Sequence, residues 1–259
     1  KMAGRTRGAV GFSRLIRSAQ LHGAHTPVRI SSKDMQRMAS VFSRSLSSSS
    51  NLALYSEYSK VSPTVLTDIL GAQQTMHSKI RPQWGPMPRI AGPAFTVQCA
   101  PGDHLMLHAA IHRAQPGSII VVESGDETAA LCGGNVCAVA QHRKIAAFVL
   151  DGMMRDLAET RANKFPVFAR GITPLAAKKN AVGTLNNDAV VCGGVKVSPG
   201  DVVVADEEGV VVVPAAVAEE VLQKALQKQA KEASTSLAEW QDDHYKRIQK
   251  LLDAKGFKL

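Results

Sequence analysis

The residues best suited to chemistry fall in one window: Gly133-Gly134-Asn135-Val136, then, after a buried-looking apolar run, Arg155-Asp156 with Glu159 three residues further on. A single carboxylate such as Asp156, giving one oxygen while waters fill the other positions, suits Mg²⁺ or Mn²⁺, which prefer oxygen donors and keep much of their hydration. Arg155 offers a planar fork that matches a substrate carboxylate. A short 2-keto acid chelates such a cation through its carboxylate and keto oxygens. The glycine pair opens a helix expected over 135–143. Free N–H groups and the positive end of the helix dipole there favour an anion, and the missing side chains let a small substrate approach closely. The adjacent Arg155 and Asp156 side chains are expected to diverge. On spacing alone, a plain glycine turn beside a surface ion pair competes with this reading.

The elements that must position these groups follow from patterning. Ile145 to Leu150 reads as a buried strand that runs out into Asp151-Gly152, followed by a short helix. Arg155 and Asp156 then sit past the strand's carboxyl end, where ligands of α/β proteins gather. Ser62-Pro63-Thr64 is a helix entry before Val65 to Leu70, which Gly71 stops. Other expected strands are Ala94 to Gln98, Ser118 to Glu123, Val167 to Ala169, and segments near 189–197, 201–205 and 209–213, with a helix from Asp103 to Ala114. Pro116-Gly117 and Pro199-Gly200 each precede an apolar strand that ends in an acid, Glu123 or Asp206. After Pro214, Ala215 to Ala233 and Leu237 to Leu252 have the spacing of long amphipathic helices.

The chain has 259 residues, 45% hydrophobic and 20% charged, enough for one substantial core. Its net charge of +9 is concentrated at one end. Residues 1–50 carry nine Lys/Arg against the single acid Asp34, while the remainder holds 22 basic and 21 acidic residues. A nucleic-acid-binding core would keep its basic excess inside the folded part, so no nucleic-acid partner is expected. The apolar runs are too short to span a bilayer, so no membrane partner is expected either. Residues 1–50, basic and Ser-rich, read as a disordered or non-native leader, or as a transit peptide. The expected compartment is the cytoplasm, or an organelle matrix in the transit-peptide case. Cys99, Cys132, Cys137 and Cys192 lack metal spacing and read as reduced, buried thiols.

Three other features are weaker. His104, His108 and His112 recur at four-residue steps, but nothing is spaced to complete a zinc site, and solvent-facing or interfacial histidines are expected. Asp206-Glu207-Glu208 reads as a solvated turn, and Lys178-Lys179 as an exposed face. No P-loop, no dinucleotide-binding glycine motif, no zinc-protease motif and no serine-hydrolase elbow occurs.

Gly134, twenty intervening residues, Arg155-Asp156, two more residues and Glu159 resemble the signature of the family named for the regulator of ribonuclease activity A. That family includes metal-dependent 4-hydroxy-4-methyl-2-oxoglutarate aldolases and oxaloacetate decarboxylases. The similarity extends from about Ser62 to Glu232, through Pro101-Gly102-Asp103, Pro166 to Gly171 and Gly200 to Asp206. The resemblance implies an α/β fold, one β/β/α domain similar to the swivelling phosphohistidine domain, with long C-terminal helices. It divides the chain into the leader (1–50), a catalytic domain (51–214) and a helical extension (215–259) packing on that domain or on a neighbouring protomer. It implies a homotrimer or hexamer, with Asp156 as metal ligand and Arg155 on the substrate. Backbone near Gly133, Gly134, Asn135 and Val136 would bind the pyruvoyl carboxylate. Glu159, and Glu232 from a neighbouring protomer, would stand near the metal's waters. Where several aldolases of the family carry an acid, this chain has Gly134. Aldol cleavage needs a base for the substrate hydroxyl, whereas loss of CO₂ needs chiefly enolate stabilisation. The expectation is therefore a carbon-carbon lyase working through a pyruvate enolate, with decarboxylation ahead of aldol cleavage. A non-catalytic trimer that restrains a ribonuclease is the alternative.

Overall fold

The computed structural model describes residues 52–257, so the expectations for residues 1–50 lie outside them. Ten strands form a mixed α/β arrangement: β1 (Arg81–Pro82), β2 (Ile90–Gln98), β3 (Ile119–Glu123), β4 (Ala130–Cys132), β5 (Ala147–Met154), β6 (Val167–Ile172), β7 (Val190–Cys192), β8 (Val195–Val197), β9 (Val202–Asp206) and β10 (Gly209–Val213). Residues 52–58 are helical, and the helices that follow are α1 (Pro63–Leu70), α2 (Leu105–Ile111), α3 (Gly134–His142), α4 (Leu157–Ala162), α5 (Ala218–Ser234) and α6 (Leu237–Ala254). The main sheet runs β1-β6-β5-β3-β2-β9-β10, with β4 against β5. Its end strands β1 and β10 meet, so the sheet is nearly closed.

Strand β2 joins two kinds of pairing. Ile90 to Pro93 run antiparallel to β9, and Ala94 to Gln98 run parallel to β3. The switch falls at Gly92-Pro93. A Cβ on Gly92 would collide with the Gly117 carbonyl, and Pro93 has no N–H to leave unpaired. This strand starts at Ile90, earlier than the expected Ala94, because the Gly-Pro pair reads as a loop in isolation.

Period-two alternation sorts the apolar side chains between an inner and an outer face. Ile119 and Val121 of β3, Ala147 and Val149 of β5, Val203 of β9 and Val212 of β10 point into one shared interior. Their alternates diverge. Ile120, Val122, Phe148 and Leu150 pack outward against α2 and α3, while Val202, Val204, Val211 and Val213 pack against α1 and α5. Both faces of these strands are buried, which accounts for their unbroken apolar runs. A residue such as Phe148, fully buried, is worth about 3–5 kcal/mol if cut to alanine.

Local chemistry sets the element ends. Ser62 caps α1 by accepting from the Thr64 N–H, Pro63 occupies the first turn, and Gly71, with φ 82°, closes it. Helix α5 buries Val221, Leu222 and Ala225 on its own sheet. Helix α6 begins with a reciprocal Ser236–Glu239 cap and buries none of its residues. The segment near 189–197 is a β7–β8 hairpin, turned by Gly193 and Gly194, both at positive φ. The helix expected from Asp103 to Ala114 is shorter, spanning only α2. Among the described residues no helix is long and apolar enough to cross a membrane.

Candidate functional site

Strand β5 does not stop at Leu150. It continues through Asp151-Gly152 to Met154, because Met153 and Met154 find partners in both β4 and β6 across a register shift. Those two pairings outweigh the turn tendency of Asp-Gly. The extension brings Arg155 to the end of β4, where its N–H donates to the Cys132 carbonyl at 2.9 Å. Gly133 and the start of α3 follow Cys132 directly, so both halves of the predicted window meet at one point.

Asp156 has the left-handed backbone of φ 56° and ψ 45°, which aspartate tolerates better than most residues. It stands at the N-cap position of α4, yet its side chain makes no bond to that helix. Instead Oδ2 accepts the Gly134 N–H of α3 at 3.1 Å. Its main-chain carbonyl is taken by the N–H and the hydroxyl of Thr160. Oδ1 receives no hydrogen bond from the described residues, and the side chain is 37% exposed.

The Arg155 and Asp156 side chains do not diverge as expected: Nε lies 3.6 Å from Oδ2, a loose ion pair. Alternation separates neighbouring side chains in a strand, but the left-handed turn at Asp156 swings its carboxylate back toward the guanidinium. Arg155, 44% exposed, makes no other side-chain contact of this kind among the described residues.

Side chains of the site crowd both glycines. A Cβ on Gly133 would overlap Asp156 Oδ2 and lie 3.0 Å from Arg155 Cγ. One on Gly134 would overlap the Glu159 carboxylate and lie 2.9 Å from its Cβ. The N–H groups of Asn135 and Val136, in the first turn of α3, donate to nothing among the described residues, as orphan amides at a helix start do. Asn135 is exposed and Val136 half-buried. The structure therefore gathers Gly133, Gly134, Asn135, Val136, Arg155, Asp156 and Glu159 in one place. Glu232 is not among them. It sits on α5 and pairs with Lys228 at 2.7 Å, and Lys228 also reaches Asp68.

Nearby carboxylates have other work. Asp151 binds Arg170 and accepts the Gly193 N–H at 2.8 Å. Glu123 accepts the Val191 N–H at 2.7 Å, and Asp206, buried rather than solvated, pairs with Arg89 at 2.8 Å. The acids at the ends of the two similar strands thus hold loops in place. All four cysteines are buried and free, with Cys132 Sγ 3.9 Å from Cys137 Sγ below the glycine pair.

The histidines also depart from expectation. His112 is exposed, but His104 is buried and His108 half-buried, their rings edge to face with centroids 4.4 Å apart. His104 Nδ1 lies 2.9 Å from the Leu131 carbonyl of β4. Burial lowers its pKa, and the charges of Lys179 and Arg155 add to that effect. Burial, helped by His104 and Lys179, pushes His108 down to about 4. Asp103, buried, is held below the usual carboxylate range; burial acts to raise it, but the N–H groups of Asn180, Leu105 and Ala181 outweigh that. Sequence patterning picked out His104 by its four-residue spacing but expected it to face solvent or a subunit, because its burial depends on Leu131 of β4, 27 residues later.

A profile of the RraA-like family, described as Aldolase/RraA, matches residues 62–212. A provisionally named 4-hydroxy-4-methyl-2-oxoglutarate aldolase of Halalkalibacterium halodurans is 39% identical over 184 residues, 71% of this chain and 87% of that protein. Among solved structures, RraAS2 of Streptomyces coelicolor, described as an unusual member of the RNase ES inhibitor RraA family, matches with a TM-score of 0.63 and 28% identity. It covers 70% of this chain and 94% of its own. The RNA-processing inhibitor RraA of Thermus thermophilis matches with a TM-score of 0.54 and 26% identity, covering 59% and 92%. With the family profile spanning more than half of its length and the signature residues gathered at one site, the chain belongs to the RraA-like family.

Proposed function

We propose that the protein is a divalent-metal-dependent carbon-carbon lyase acting on short 2-keto acids through a pyruvate enolate. Decarboxylation of oxaloacetate ranks ahead of cleavage of 4-hydroxy-4-methyl-2-oxoglutarate. The observation that carries this reading is the meeting, over the bare backbone of Gly133-Gly134, of free amides, a guanidinium and a carboxylate with one oxygen uncommitted. The name of the aldolase relative supports the same class.

The donor set suits a hard cation. Asp156 Oδ1 accepts nothing else, Glu159 forms no ion pair among the described residues, and no cage of three His, Cys, Asp or Glu is assembled there. One or two carboxylates with open space fit Mg²⁺ or Mn²⁺, which keep several waters, better than a closed tetrahedral site. A bound cation would polarise the keto oxygen as a Lewis acid.

The chain's own groups do the rest. The Asn135 and Val136 amides, aided by the α3 dipole, hold the substrate carboxylate. Arg155 pairs with negative charge that grows on the keto oxygen as the carbon-carbon bond breaks, and it binds that state more tightly than the ground state. Gly134 brings no side chain able to take a hydroxyl proton, which favours CO₂ loss over aldol cleavage. In this reading the protein assembles as a homotrimer or hexamer, and Glu232 reaches the site from a neighbouring protomer.

The test is pyruvate release from oxaloacetate by the wild-type chain with Mg²⁺, with EDTA, and by Asp156→Ala. Fast release only in the first arm is expected; equal rates in all three would remove the proposal. The kinship with ribonuclease inhibitors favours a second reading, a non-catalytic regulator. It predicts capture of a ribonuclease that survives Asp156→Ala.

A further inference from the structure

A lyase that leaves an enolate must move a proton to or from carbon, and Gly134 leaves that task without a side chain on α3. Strand β4 offers a group for it. Its Cys132 carbonyl holds the Arg155 N–H, and the residue before, Leu131, holds the imidazole of His104 through Nδ1, both at 2.9 Å. His104 is also fixed through its backbone, since its N–H donates to the Lys178 carbonyl at 2.9 Å. The preceding Asp103 gathers the N–H groups of Leu105, Asn180 and Ala181. Its ring is braced against His108. The ring is therefore held through one nitrogen and its backbone, and the other nitrogen is left for chemistry. His104 uses Nδ1 alone: Nε2 makes no hydrogen bond with the described residues.

Resting on the lyase reading above, we propose that His104 is the proton-handling residue of the site, exchanging a proton between Nε2 and C3 of the pyruvate enolate. In the forward direction the Nε2–H⁺ bond breaks, a C3–H bond forms and neutral imidazole remains. In the reverse direction neutral Nε2 takes a methyl proton from bound pyruvate and leaves enolate and imidazolium. The Leu131 carbonyl, which can only accept, keeps the neutral proton on Nδ1 and the lone pair on Nε2. The charged neighbours of the ring are Lys179 and Arg155, which disfavour the imidazolium, and Asp103, which favours it; His108 adjoins it. With burial their balance holds His104 below its ordinary 6.5, so it is neutral at pH 7 and able to act as a base.

The experiment follows deuterium entry into the methyl group of pyruvate by NMR, using the full chain with Mg²⁺ in D₂O. His104→Asn keeps a donor for the Leu131 carbonyl and removes Nε2. Exchange by that variant is expected to fall about 100-fold, the usual scale of general acid-base catalysis. Pyruvate affinity and thermal unfolding should stay near wild type, and His112→Asn should exchange normally. In the wild-type chain, histidine ¹⁵N spectra should show the Nδ1–H tautomer, and exchange should decline as pH falls through the His104 titration, below 6.5. Undiminished exchange by a folded His104→Asn, an Nε2–H tautomer, or an exchange profile that ignores the His104 titration each overturns the proposal. If His104→Asn does not fold, the tautomer and the pH profile of the wild-type chain decide. A wild-type chain that neither exchanges pyruvate nor decarboxylates oxaloacetate fails at the lyase reading itself, and this inference falls with it.

Discussion

Asp151 and Asp156 lie five residues apart at the end of one chain segment, and they have opposite fates. Asp151, 14% exposed, divides its two oxygens between the Arg170 guanidinium and the Gly193 N–H. Glu127 closes the cluster from the other side of Arg170 at 2.9 Å. Asp156, 37% exposed, accepts one N–H, pairs loosely with one guanidinium, and keeps an oxygen without a partner among the described residues. The difference teaches that residue type and position on a strand end do not decide which carboxylate is left available. What decides it is how many hydrogen-bond partners the surrounding loops supply.

Substitutions sharpen that contrast. The largest expected effect is on Asp156→Ala, which should lower oxaloacetate turnover about 100- to 1000-fold, the scale of losing one preorganised electrostatic group. Its melting temperature should hardly move; a large fall would place Asp156 with Asp151 as a structural acid. Next comes Gly133→Ala. The backbone there has φ −150°, open to any residue, so the fold should tolerate the change. The new Cβ, however, displaces Asp156 and Arg155, and a shift near 1 Å costs about 100-fold in rate. Steady-state kinetics beside circular dichroism separates the two outcomes.

Asp151→Asn should behave in the reverse way. It removes the less exposed of the two carboxylates paired with Arg170 and leaves Glu127, and a cost of about 2 kcal/mol is expected, between the values for exposed and fully buried pairs. Denaturant unfolding reads it directly, while the folded fraction should keep its turnover. The effect at His108 is confined to acid pH and absent at pH 7. Its folded pKa of about 4 is below the unfolded 6.5, so the unfolded chain binds the proton first. The stability His108 contributes is complete above pH 6.5 and is lost as pH falls toward 4. His108→Leu should flatten that part of the stability profile, as thermal melts between pH 4 and 7 will register.

Much of this site was legible in the sequence because its residues are local in two short runs. Gly133-Gly134 announced a side-chain-free helix start, and Arg155-Asp156 followed a run too apolar to be anything but a buried strand. The caps of α1 and the apolar core of β3 were legible for similar reasons, since Ser62-Pro63 and Ile119 to Val122 carry their own signals. What escaped depends on partners distant in the chain. Strand β4 has three residues and no alternation to detect, and Asp151-Gly152 reads as a turn until β4 and β6 bracket it. Likewise, whether Asp206 meets water depends on Arg89, 117 residues earlier. The approach of the Arg155 and Asp156 side chains turned on one left-handed residue, which composition does not foretell.

Strand β2 carries a thermodynamic consequence. Because its first half is hydrogen-bonded to β9 and its second to β3, neither half-sheet can melt without tearing a strand the other needs. The described domain should unfold in a single cooperative step, and the amides of β2 should exchange with solvent only through global opening.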